Sequence, residues 1–133
     1  MLEDCDAVPF LNEFYQNPSL YTLETEFAFL LHHYHKLNLA YREEGELVSD
    51  FALSKDILFA DMNMGKGRER KVFGELYELL ANRIPKVSAT IFISISDELV
   101  LSRIQKRNRP FEMLASHSYY QELNATYEHF FAS

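Results

Sequence analysis

Helices alternating with short buried strands predict an α/β architecture, a parallel sheet flanked by helices. Three observations carry this expectation. Residues 89–95, Ala-Thr-Ile-Phe-Ile-Ser-Ile, are β-branched and nearly continuously apolar, as strands covered on both faces are. Residues 46–50 form a second short segment of strand length ending in the carboxylate of Asp50. Between and around them lie segments with helical periodicity. In such sheets ligands sit beyond the carboxyl ends of the strands, which directs attention to Asp50 and Ser96.

The elements follow in order. Pro9 with Phe10, Leu11, Phe14 and Tyr15 opens a small helix that Asn17-Pro18-Ser19 stops. From Leu20 to about Tyr41 the residues Leu20, Leu23, Phe27, Leu30, Leu31, Tyr34 and Leu37 recur at three and four, the stripe of a long amphipathic helix. Residues 51–61 read as helical turns, and a turn around Gly65 and Gly67 leads to a helix over about 68–83 carrying Val72, Phe73, Leu76, Leu79 and Leu80. Ser96 suits an N-cap, followed by Asp97 and Glu98 at the positive end of a helix running to about Asn108. A capping box, Ser118-x-x-Gln121, starts the last helix, with Tyr120, Leu123, Tyr127 and Phe130 on its buried side.

The chain has 133 residues, 47% hydrophobic and 25% charged, with four Gly and four Pro. That composition predicts a packed fold and one domain. Twenty acidic against 13 basic residues give a net charge of -7, which disfavours nucleic acid and anionic membrane as partners. The single Cys5 cannot form an internal disulfide, no apolar run approaches the roughly 20 residues of a membrane span, and the first residues lack the pattern of a signal peptide. Cytoplasm is the compartment this predicts.

Arg103, Arg107 and Arg109 are the densest functional cluster. Arg103 and Arg107 share a helix face, and permanently charged, bidentate guanidiniums suit a polyphosphate. The competing reading is a solvated basic helix end favoured by the dipole. His32, His33 and His35 read as an ordinary helix surface. His32 and His35 are three apart, but no third ligand accompanies them, so no metal site is expected.

In register, these segments resemble the deoxynucleoside kinase family, in particular bacterial deoxyadenosine and deoxyguanosine kinases. Arg103-Ile-x-x-Arg107-x-Arg109-x-x-Glu112 is similar to the lid that closes over the donor phosphates, about residues 103–117. Glu3, six residues before Pro9, resembles the Glu that opens the acceptor site. Phe14-Tyr15-Gln16-Asn17-Pro18, the helix from Tyr21 to Tyr34, Ser49-Asp50 with Asp56 and Phe59-Ala60, and Leu123-Asn-x-x-Tyr127 follow in the family's order. The resemblance implies a P-loop kinase-like parallel sheet and transfer of the ATP γ-phosphate, with magnesium, to a deoxynucleoside 5'-hydroxyl. It implies Glu3 as general base, Asp50 near magnesium or the phosphate-binding arginines, and Arg107 in catalysis. Tyr15 and Glu112 would take the 3'-hydroxyl, Glu26 and Asp56 the base, and Arg103, Arg107 and Arg109 the donor. A homodimer is also implied.

Three departures shape the expectation. No Gly-x-x-x-x-Gly-Lys-Ser/Thr run, whose amides and Lys would cradle phosphates, occurs in the sequence, and Gly65-Lys66-Gly67 is read as a turn. The fold expected is therefore one truncated at its N-terminus, without the first strand and phosphate loop, and with impaired catalysis. Phe51 stands where the family has Arg, with Lys55 one helical turn later as partial compensation. Glu26 stands where the family commonly has Gln. Because an ionised Glu only accepts hydrogen bonds, it suits a purine edge with two donors, such as guanine's. The alternative expectation is a noncatalytic binding or oligomerisation module derived from that fold.

Overall fold

The computed structural model describes residues 1–132. They form two compact units, Met1–Val87 and a second beginning at Ser88.

In the first unit α1 (Leu11–Gln16), α3 (Ser54–Asn63) and α4 (Arg68–Ala81) pack with α2 (Pro18–Ala40), the long helix expected from periodicity. Pro18 begins α2 at a position where its missing N–H costs nothing. The buried residues of α2 are Thr25, Glu26, Leu30, His33 and Leu37, so the positions 26, 30, 33 and 37 define one face. Leu20, Leu23 and Leu31 are exposed, and the true inner face is therefore rotated from the stripe that hydrophobicity alone marks. Leu30, Leu37, Phe51, Leu53, Ala60, Phe73 and Leu80 form the core, and Phe27 meets Phe73 edge-on at 5.3 Å. Burying a side chain of this kind contributes roughly 1.5–3 kcal/mol.

Before α1, Phe10 adopts φ 68°, ψ 0°, a left-handed conformation that is uncommon for an aromatic residue. Its carbonyl accepts bonds from the Phe14 amide and the Thr25 hydroxyl, and its ring stacks with Tyr21 at 6.5 Å. These contacts from α1 and α2 hold the strained residue in place.

The second unit contains α5 (Asp97–Arg107) and α6 (His117–Ala132), separated by a short 3-10 turn, Glu112–Leu114. Ser96 caps α5 as expected, its hydroxyl accepting from Leu99 N. Asn108, in the left-handed region, ends that helix and returns its amide to the Ile104 carbonyl. The cap of α6 is Ser116, whose hydroxyl accepts from Tyr119 N at 3.1 Å, two residues before the capping box read from sequence. Tyr120 is buried, whereas Phe130 is exposed.

The expected parallel sheet is absent: the described residues contain six α-helices and two 3-10 turns and no strand. Residues 89–95 have no regular secondary structure and make no backbone–backbone hydrogen bond to another segment. Phe92 stacks on Phe131 and Tyr127 of α6, while Ile91 and Ile93 are 87% and 76% exposed. Residues 46–49 are likewise unpaired as a strand. Extended backbone is a local preference of β-branched residues, but a sheet needs a neighbouring strand to receive its hydrogen bonds, and no described segment provides one. No helix among the described residues is long and apolar enough to cross a membrane.

Candidate functional site

The N-terminal segment of the first unit lies beside residues 48–50. Met1 N donates to the Val48 carbonyl at 2.5 Å, Asp50 N to the Met1 carbonyl at 3.2 Å, and Glu3 N to Asp50 Oδ1 at 2.7 Å. Lys36 of α2 adds a bond from Nζ to the Leu2 carbonyl at 2.6 Å. These four contacts bring Glu3 over the inner face of α2.

There Glu3 meets a buried imidazole. His33, with no exposed surface, places Nε2 3.0 Å from Glu3 Oε1 and Nδ1 2.8 and 3.0 Å from the two oxygens of Asp56. Phe51 stacks on the ring, with centroids 4.6 Å apart and planes 26° apart. Lys55, one residue before Asp56 on α3, reaches Glu3 Oε1 at 2.5 Å. Only an imidazolium offers a proton to a carboxylate at both nitrogens, so the arrangement calls for a charged ring between two anions.

Burial penalises the imidazolium, but the hydrogen bonds to Asp56 and Glu3 outweigh it and raise the His33 pKa. Burial alone would raise Glu3 as well; the bonds from His33 and Lys55 reverse this and hold it at about 2. For Asp56 burial prevails and pushes the carboxyl up, against the opposing pull of His33.

A second buried carboxyl, Glu26, lies seven residues before His33 on the same face of α2. Asn63, at the end of α3, donates from Nδ2 to Glu26 Oε1 at 2.7 Å. Burial, followed by the proximity of the Asp56 charge, lifts the Glu26 pKa to about 7 against the opposing Asn63 bond. The first unit thus gathers Glu3, Glu26, Asp56, His33, Lys55 and Asn63 from three chain segments. Among the described residues no group of three His, Cys, Asp or Glu side chains is arranged to hold a metal ion.

In the second unit Arg107 meets Glu112 through two bonds, Nε to Oε2 at 3.0 Å and Nη2 to Oε1 at 2.6 Å, and Arg109 lies 3.6 Å from the same carboxylate. Glu112 is buried, and its carbonyl accepts the Tyr120 hydroxyl at 2.7 Å. Arg103, one turn before Arg107 on α5, is exposed.

Of the residues named from sequence, Glu3 and Asp56 share His33, with Glu26 close by, and Asp50 fixes the Glu3 backbone. Arg107 and Arg109 share Glu112. Tyr15 lies on α1, half-buried and edge-on to Phe14 at 5.3 Å. Asp56, which on sequence grounds alone would pass for a helix-surface charge, is 2% exposed. His33 corrects the surface reading of the histidine group: it is the hub of the cluster. Lys55 does supply a cation beside Glu3, whereas Phe51 supplies an aromatic face for His33. Asn63 gave no signal in the sequence. The 26, 30, 33, 37 spacing was the signal for His33, since it aligns two polar residues with Leu30 and Leu37.

The family profile described as deoxynucleoside kinase matches residues 2–133. A deoxyguanosine kinase of Bacillus subtilis is 32% identical over 124 residues, covering 90% of this chain and 59% of its own length. A deoxyadenosine/deoxycytidine kinase of the same organism is 28% identical over 134 residues, covering 96% of this chain and 62% of its own. A deoxyguanosine kinase of Lactobacillus acidophilus is 31% identical over 139 aligned positions, covering 95% and 60%. The chain therefore spans about three fifths of the length of these relatives.

Proposed function

We propose, from the premise that this chain belongs to the deoxynucleoside kinase family, that its first unit carries the acceptor site for a purine deoxynucleoside and that the parent activity it serves moves the ATP γ-phosphate to the 5'-hydroxyl, a step impaired in these 133 residues, which contain no Gly-x-x-x-x-Gly-Lys-Ser/Thr run to cradle the donor phosphates. The observation that carries this reading is the Glu3 carboxylate, 18% exposed and steadied by Lys55 and His33 at one oxygen. In the reaction the hydroxyl oxygen bonds to the γ-phosphorus as the bond to the ADP oxygen breaks, and the hydroxyl proton passes to Glu3. A carboxylate held at about 2 is a weak base at equilibrium. Phosphoryl transfer through a loose transition state asks for an aimed nucleophile more than an early deprotonation, so a firmly oriented carboxylate is sufficient. Lys55 supplies the positive charge near the acceptor hydroxyl that Phe51 lacks.

Glu26 reads the base. Ionised, it only accepts, which matches the N–H pair on the guanine edge, and Asn63 fixes the carboxylate for that contact. That two of the relatives above are named deoxyguanosine kinases supports the same preference. Tyr15 takes the 3'-hydroxyl, and in the second unit Arg103, Arg107 and Arg109 hold the donor phosphates, Arg107 and Arg109 exchanging Glu112 for phosphate oxygens. Asp50 uses one oxygen on Glu3 N and keeps the other for magnesium. Magnesium with ATP supplies the phosphoryl group and neutralises its developing charge.

Thermal unfolding of the 133-residue chain with each deoxynucleoside, and separately with ATP and magnesium, tests this. A ligand at 100 times its Kd adds about 2.7 kcal/mol to the folded state. Deoxyguanosine should raise the midpoint most. If no deoxynucleoside raises it, the acceptor-site reading is wrong; the ATP arm reports separately on the arginines.

A further inference from the structure

Every hydrogen bond made by the Glu3 carboxylate falls on one oxygen. His33 Nε2 and Lys55 Nζ both meet Oε1, while Oε2 has no partner among the described residues. The two donors differ in rigidity. Lys55 is a four-carbon stem, 23% exposed, whereas the His33 ring is fully buried, stacked on Phe51 and tied at its far nitrogen to both oxygens of Asp56. Of the two, only the ring has its plane and its tilt fixed by other groups.

Resting on the acceptor-site reading above, we propose that His33 is a positioning residue for the reacting hydroxyl: anchored by Asp56 and Phe51, it pins Glu3 Oε1 so that Oε2 is held out for the 5'-hydroxyl. Asp56 then acts through the ring rather than on the base directly, and the carboxylate–imidazole–carboxylate chain is a support for Glu3 of the kind that fixes ligands and catalytic groups elsewhere. Without His33, Lys55 alone holds Oε1, and the carboxylate is free to turn about its own axis. Hydroxyl recognition is lost before base recognition, because the Glu26–Asn63 pair makes no hydrogen bond to His33.

The test is a cycle of two ligands and two proteins, read by calorimetry on the full chain. The ligands are 2'-deoxyguanosine and its 5'-deoxy analogue, 2',5'-dideoxyguanosine; the proteins are the parent and His33→Gln. The parent should bind deoxyguanosine about tenfold more tightly than the analogue, the usual size for one hydrogen bond to a charged group. In His33→Gln that ratio should fall toward one while affinity for the analogue changes little. A ratio that survives the substitution, equal weakening of both ligands, or a parent that binds both ligands equally would each overturn the proposal while leaving the acceptor site standing. A parent that binds neither ligand overturns the acceptor-site reading itself. Should His33→Gln fail to fold, the 15N resonance of His33 Nε2 in the parent gives the answer. Deoxyguanosine should shift it and the analogue should not; equal shifts, or none, would contradict the proposal.

Discussion

Glu3 Oε1 and His33 Nε2 meet at 3.0 Å across thirty residues of sequence, joining the N-terminal segment to the buried face of the longest helix. The contact puts a carboxylate of low pKa at the rim and a charged ring beneath it, and the titration behaviour of the unit follows from that arrangement.

On the acid side, Glu3 is held at about 2 when folded, against about 4.5 in the open chain. The unfolded state therefore binds more protons between these values, and the stability Glu3 contributes is complete above about pH 5 and lost as pH falls toward 2. The loss is on the order of 3 kcal/mol. Urea unfolding at pH 6 and pH 3 should show Glu3→Gln less stable than the parent at pH 6, with the difference narrowing at pH 3. Parallel acid limbs would contradict the ion cluster.

Glu26 behaves in the opposite sense. Its folded pKa is raised to about 7, so the folded state binds the extra proton and stability declines as pH rises from about 4.5 through 7. Glu26→Gln should therefore stabilise the ligand-free protein at pH 8, by up to about 3 kcal/mol, and change little at pH 4. Thermal midpoints at the two pH values decide this, and a loss of stability at pH 8 would refute it.

The same group makes base recognition depend on pH. If guanine binds the ionised Glu26, deoxyguanosine affinity should rise by about tenfold between pH 6 and pH 8, as the competent fraction fills. Titrations at the two pH values give the ratio directly. Affinity that is flat or falling over this range would remove Glu26 from the base site.

In the second unit, Arg107→Met leaves the buried Glu112 carboxylate with Arg109 at 3.6 Å as its remaining cationic neighbour. An unpaired buried acceptor costs roughly 1–3 kcal/mol or more, so hydrogen exchange around residues 112–120 should quicken by at least about fivefold. Arg103→Met, on the exposed side of α5, should leave exchange there unchanged. Equal effects of the two substitutions would show that the Arg107–Glu112 pair is not what orders this turn.

The helices were legible because their signals are local: Pro18 at the first turn of α2, Ser96 as a cap, and apolar residues at three and four. The segment 89–95 misled for a physical reason. Its β-branched residues favour extended backbone, but a sheet is a relation between segments that no single run of residues encodes. The carboxylates Glu3, Glu26 and Asp56 were accessible through family resemblance, since their order along the chain carries the pattern. His33 was masked by its neighbours His32 and His35, and its one local signal is the spacing that puts it on the Glu26, Leu30 and Leu37 face of α2. Asn63 reaches Glu26 through helix packing, which sequence spacing does not show.

Calorimetric titration of deoxyguanosine into the parent chain and into Glu26→Gln at pH 8 tests the central claim, that the carboxyl cluster on α2 and α3 is a deoxynucleoside acceptor site. The account predicts saturable one-site binding by the parent and weaker binding by the variant. No saturable binding by the parent, or equal affinity in the two proteins, would contradict it.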